Sequence, residues 1–123
     1  MKLSQLETDI LDWFARSYPS IAIQEQILCC EVTEREDTTI GFFTSFKVNE
    51  NVGQIVSPEG YTSINLNELK LIAPKLTDGA DVILHIENGY LDCIEAYAIT
   101  DGHPLTVSRY ELKELDVNFI NDL

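Results

Sequence analysis

The sequence predicts an α+β fold: a mainly antiparallel sheet of about four to six strands, with an N-terminal helix packed on one face. Three observations lead there. Apolar residues recur every three or four positions over residues 3–18. From about Ile27 the period changes to two. An Asn-Gly pair then sits between two alternating runs within residues 81–99.

The helix has a defined start and stop. Ser4 followed by Glu7 forms a capping box, in which the hydroxyl accepts an orphan amide at the first turn. Leu3, Leu6, Ile10, Trp13, Phe14 and Ser17 define the face expected to meet the sheet, while Asp9, Asp12 and Arg16 lie mainly elsewhere. Pro19 ends the helix by biasing Tyr18 away from α geometry. Residues 20–26 fit either a short helix or a lead-in to the first strand.

Residues 27–34 and 38–48 read as two strands joined by a hairpin loop at Arg35-Glu36-Asp37. In the second, Ile40, Phe42, Thr44, Phe46 and Val48 share one face. Asn49, Asn51, Gly53, Pro58 and Gly60 mark residues 49–61 as a loop, with a short extended piece at Gln54-Ile55-Val56. Residues 62–72 suit another strand, which Pro74 and Gly79 interrupt. Asn88-Gly89 supplies the two positive-φ residues of a type I′ turn. An unbroken register from that turn sets Glu87 against Tyr90, His85 against Asp92, Leu84 against Cys93 and Val82 against Glu95. It gathers Val82, Leu84, Ile86, Leu91, Cys93, Tyr97 and Ile99 on the core side. Ile83, His85, Glu87, Tyr90, Asp92, Ile94 and Ala96 fall on the wetter side. The tail, 105–116, reads most simply as a strand, although Ser108 and Glu111 could cap a helix.

A chain of 123 residues with 45% apolar content, five Phe, five Tyr and one Trp builds one core, so residues 1–123 are expected to form a single acidic domain. No stretch approaches the ~20 apolar residues of a membrane helix. The N-terminus lacks the apolar run of a secretory signal, so a cytoplasmic location is expected. Cys29, Cys30 and Cys93 are an odd number without a CxxC, and adjacent strand cysteines point to opposite faces. They are expected to be buried free thiols.

The charge balance is lopsided: 21 acids against 8 Lys plus Arg, a formal net charge of −13. Such a surface repels nucleic-acid phosphates and anionic lipid, and attracts a cationic protein. Motif chemistry is sparse. Asp78-Gly79-Ala80-Asp81 lacks the alternating oxygen ligands of a calcium loop. His85, His103 and the three cysteines show no zinc-ligand spacing. There is no GxSxG, and the six glycines are too scattered to cradle a phosphate. The expectation is therefore no catalytic residue, no metal and no cofactor.

Candidate binding residues follow from acid clusters beside an aromatic anchor. Glu34, Glu36 and Asp37, with Glu31, gather at the first hairpin; His85, Glu87, Tyr90, Asp92 and Asp101 surround the second. Glu95, placed on the core side with Tyr97, is the odd carboxylate. It is expected either to pair with a cation such as Arg16, or to serve as the polar group of a small-molecule pocket between helix and sheet.

The run Leu76 to Tyr97, with its apolar strand, Asn88-Gly89 turn and Tyr90-Leu91-Asp92-Cys93-Ile94-Glu95-Ala96-Tyr97, resembles a "YLDxLExY" pattern of small bacterial proteins. Ile40-Gly41-Phe42-Phe43-Thr44 resembles their "GFFT" strand. The likeness ends after Tyr97. Some small acidic proteins of similar build act as immunity proteins of contact-dependent growth inhibition. The resemblance thus implies a protein that binds and neutralises a toxin domain. Sequence alone leaves the oligomeric state open, since sheet edges can pair between copies.

Overall fold

The computed structural model describes residues 1–19, 22–104 and 108–115. Two helices, α1 (Gln5–Ser17) and α2 (Ile23–Ile27), precede six strands: β1 (Cys30–Asp37), β2 (Gly41–Val48), β3 (Ile64–Ile72), β4 (Ala80–Glu87), β5 (Tyr90–Ala98) and β6 (Glu111–Glu114). They form one sheet in the order β1-β2-β5-β4-β3-β6, with every neighbouring pair antiparallel. This is the expected α+β architecture.

The capping box forms as its residue types require: the Glu7 amide donates to Ser4 Oγ at 3.1 Å, and the Ser4 amide donates to Glu7 Oε1 at 2.7 Å. The buried face of α1 is Glu7, Ile10, Leu11 and Phe14, whereas Leu3, Leu6 and Trp13 sit half-buried at its margin and Ser17 is exposed. Against it lie Phe42, Thr44, Phe46 and Val48 of β2, Leu91, Ile94, Ala96 and Ala98 of β5, and Ala80, Val82, Leu84 and Ile86 of β4. Each large aliphatic side chain buried there contributes about 1.5–3 kcal/mol.

The ambiguous segment before β1 resolves as α2, and the first strand begins at Cys30 rather than Ile27. Gln26 explains why. Its side chain is fully buried, donating to the carbonyls of Gly53 (3.0 Å) and Gly89 (2.8 Å) and accepting from the Leu91 amide (2.9 Å). One amide thus pins α2, the 49–53 loop and the β4–β5 turn together. Strand pairing also runs on through Arg35, Glu36 and Asp37, so the expected hairpin loop shifts to residues 38–40. Thr38 N donates to Gly41 O there at 2.8 Å, and Ile40 lies exposed in the turn rather than on the core face. Gln54-Ile55-Val56 forms no strand, although the Ile55 amide donates to Gly89 O at 2.7 Å. The tail does contain a strand, β6, while residues 105–107 and 116 of the expected span lie outside the described residues.

The β4–β5 hairpin carries the largest correction. Asn88 (φ 53°) and Gly89 (φ 85°) make the left-handed turn, and Glu87–Tyr90 and Ile86–Leu91 pair as expected. Then the register shifts by one, so that His85 opposes Cys93, Leu84 opposes Ile94, Ile83 opposes Glu95 and Val82 opposes Ala96. A bulge of this kind leaves one residue of β5 unpaired and inverts the facing of everything beyond it. Ile94, Ala96 and Ala98 therefore enter the core, while Cys93, Glu95 and Tyr97 turn to the opposite face and Ile99 is exposed.

Candidate binding face of the sheet

Alternation and register give the sheet two unlike faces. Both helices pack on one. The other presents, in rows across the strands, Glu36–Phe43–Glu95–Ile83 and Glu34–Ser45–Cys93–His85–Asn65. A third row runs Gly41–Tyr97–Asp81–Lys70–Lys113. Gly41 is required where it stands, because a Cβ there would lie 1.9 Å from the Ala96 carbonyl oxygen. Charge is unevenly spread over this face. Its β1–β2–β5 half holds Glu31, Glu34, Glu36 and Glu95 with Lys47 as their cation, whereas its β3–β6 end holds Lys70 and Lys113, the latter paired with Glu111 at 3.6 Å.

One polar chain organises the middle of the face. His85 Nε2 meets Glu95 Oε1 at 2.9 Å, and His85 Nδ1 meets Asn65 Oδ1 at 2.8 Å. Both ring nitrogens are satisfied, and the imidazole holds Glu95 through one carboxylate oxygen. Tyr97 donates its hydroxyl to Asp81 Oδ2 at 3.2 Å. Burial, followed by the charge and hydrogen bond of Asp81, pushes that phenol up. Cys93 stands beside His85 in an arrangement that superficially suits a nucleophile and base. Burial, and then the charges of Asp92 and Glu95, push its thiol up to about 11, which keeps it protonated; like Cys29 and Cys30 it is half-buried rather than fully buried as expected.

The buried carboxylate is Glu7, not Glu95. Glu7 is 3% exposed and accepts from Arg35 Nε (2.8 Å), Arg35 Nη2 (2.8 Å) and Thr44 Oγ1 (2.8 Å). Burial by itself raises its pKa, but the Arg35 hydrogen bonds, the Ser4 amide, the Thr44 hydroxyl and the Arg35 charge prevail and hold it at about 2. Arg16, the expected partner of Glu95, instead donates to the Asp12 carbonyl at 3.3 Å. The expected pocket between helix and sheet cannot include Glu95 or Tyr97, which face away from both helices.

Other residues singled out from sequence scatter. Glu34, Glu36 and His85 lie on the open face, with Asp92 exposed at the bulge beside it. The expected His85–Asp92 pair is replaced by His85–Glu95. Asp37 opposes Phe42 and so belongs to the helix-side register at the sheet edge. Glu87 is exposed at the turn, and Tyr90 is half-buried there, donating to the Glu50 carbonyl at 3.2 Å. Asp101 bridges to Thr77 beyond the far end of β5, about 30 Å of strand from that turn. A separate cleft of about 700 Å³ between α1 and β6 is lined by Asp9, Asp12, Trp13, Arg16, Tyr110 and Leu112, among others. Tyr110 bridges it with a hydrogen bond to Asp9; burial and that bond push the phenol up to about 12.

Among the described residues, the ion pairs are Arg35–Glu7, His85–Glu95 and Lys113–Glu111. The acidic surplus is therefore not neutralised from within them. Among the same residues, no group of three or more His, Cys, Asp or Glu is placed to hold a metal ion, and no helix is long and apolar enough to cross a membrane. Comparison with protein families, curated proteins and solved structures returns no match.

Proposed function

We propose that this protein is a non-catalytic binding module that engages a cationic partner protein through the acidic half of its open sheet face. The observation that carries the reading is the joint placement of Glu34, Glu36 and Glu95 around Phe43, with Glu31 further along opposite Lys47, on a face that neither helix covers. A protonated Cys93 beside His85 supports binding over nucleophilic chemistry. In its most concrete form, the module is a bacterial immunity protein that neutralises a basic toxin domain in the cytoplasm. It would do so by occupying the surface that domain uses for an anionic substrate.

The test is co-purification from the cell that makes the protein, followed by calorimetry with the recovered partner. A basic partner whose affinity falls steeply between about 50 mM and about 500 mM salt is the expected result. A partner of neutral or acidic surface, or an affinity indifferent to salt, would sink the proposal.

A further inference from the structure

Resting on that reading, we infer that the central contact is a single arginine of the partner, its guanidinium laid on the Phe43 ring between the carboxylates of Glu36 and Glu95. Glu36 pairs with Phe43 across β1 and β2, and Phe43 pairs with Glu95 across β2 and β5, so the three side chains stand in one row on one face. At about 4.8 Å between strands, the two glutamates lie about 10 Å apart with the ring midway. Acids alone would attract any cation; the aromatic ring between them makes the row selective. A guanidinium is planar, stacks on an aromatic face and presents N–H donors along more than one edge. It can meet the ring and reach toward both carboxylates at once. A lysine ammonium is a compact point charge and reaches one carboxylate at a time.

The rest of the row favours the same occupant. His85 holds Glu95 through Oε1 at 2.9 Å, which orients the carboxylate and leaves its second oxygen for a donor. Ile83, on the other side of Glu95, gives the arginine's neighbours an apolar surface. Phe43 is half-buried, so its ring is supported by the sheet while a portion stays accessible.

The experiment compares hexa-arginine with hexa-lysine, which carry equal charge, binding to the whole protein by calorimetry at low salt. The expected result is about fivefold tighter binding of hexa-arginine. That preference should vanish in Phe43→Leu, which keeps apolar bulk but removes the ring, and shrink in Glu36→Gln, an exposed change that leaves the fold alone. Equal affinity for the two peptides, or a preference that persists in both variants, overturns the arginine site while leaving charge-driven binding in place. Failure of both peptides to bind overturns the arginine site and the charge-driven reading together.

Discussion

Glu7 and Glu95 mark the difference between the two faces of this sheet. Glu7 is sealed beneath α1, where Arg35 and Thr44 supply three hydrogen bonds and no solvent is needed. Glu95 stands on the uncovered face with one histidine contact and a side chain still 28% exposed. The covered face uses its carboxylate to join a helix to the sheet. In the proposed function, the open face keeps its carboxylates for a partner outside the molecule. Burial and pairing, rather than residue type, decide which role a glutamate takes.

The larger expected effects fall on the covered side. Glu7→Gln removes the charge from a buried carboxylate that accepts three side-chain hydrogen bonds; with its partner Arg35 38% exposed to screening solvent, the loss is about 1.5–3 kcal/mol. Urea denaturation of the variant measures it. The pH dependence has a definite sign. Folding lowers the Glu7 pKa to about 2, so the folded state binds fewer protons than the unfolded chain as acid is added. Stability from this group is complete above the ordinary carboxylate range, about 4.5, and is lost as pH falls toward about 2. Glu7→Gln should flatten that acid limb. An unchanged limb would show that another carboxylate carries it.

The next two predictions sharpen the contrast. Gln26→Leu strands the Leu91 amide and removes a donor from two carbonyls, at a cost of about 3 kcal/mol by the same denaturation assay. Neighbouring positions in β5 should then behave oppositely. Ile94→Ala, in the core, should cost about 2–5 kcal/mol, whereas Cys93→Ser, on the open face, should cost less than about 1 kcal/mol. The reverse order would restore the unbroken hairpin register and undo the assignment of faces. Glu95→Gln should change stability least, by less than about 1 kcal/mol, because its partner His85 remains partly solvated.

Much of the fold is legible in the sequence because local rules agree there. Ser4 and Glu7 announce the helix start, Asn88-Gly89 announces the turn, and the two-residue period of Phe42 to Val48 gives the core face of β2. The open face was harder to see, since it depends on the bulge in β5. No residue between Leu91 and Cys93 signals an extra position, and one unpaired residue reverses the facing of Cys93, Glu95 and Tyr97. The Glu7–Arg35 pair left a trace that hydrophobicity counting overlooks. Glu7, Ile10, Leu11 and Phe14 form an i, i+3, i+4, i+7 set, and Arg35 alternates with Glu34 and Glu36 so that it alone of the three turns inward. Only the pairing of β1 with β2 beneath α1 brings the two halves of that pattern together.

The decisive comparison is the affinity of two charge-matched double variants for the co-purified basic partner. Glu34→Lys with Glu36→Lys alters the open face, whereas Glu25→Lys with Glu59→Lys makes the same change in net charge at exposed sites in α2 and the 57–61 turn. The first pair should weaken binding at least about tenfold more than the second. Equal losses in the two variants would mean that overall charge, and not this face of the sheet, attracts the partner.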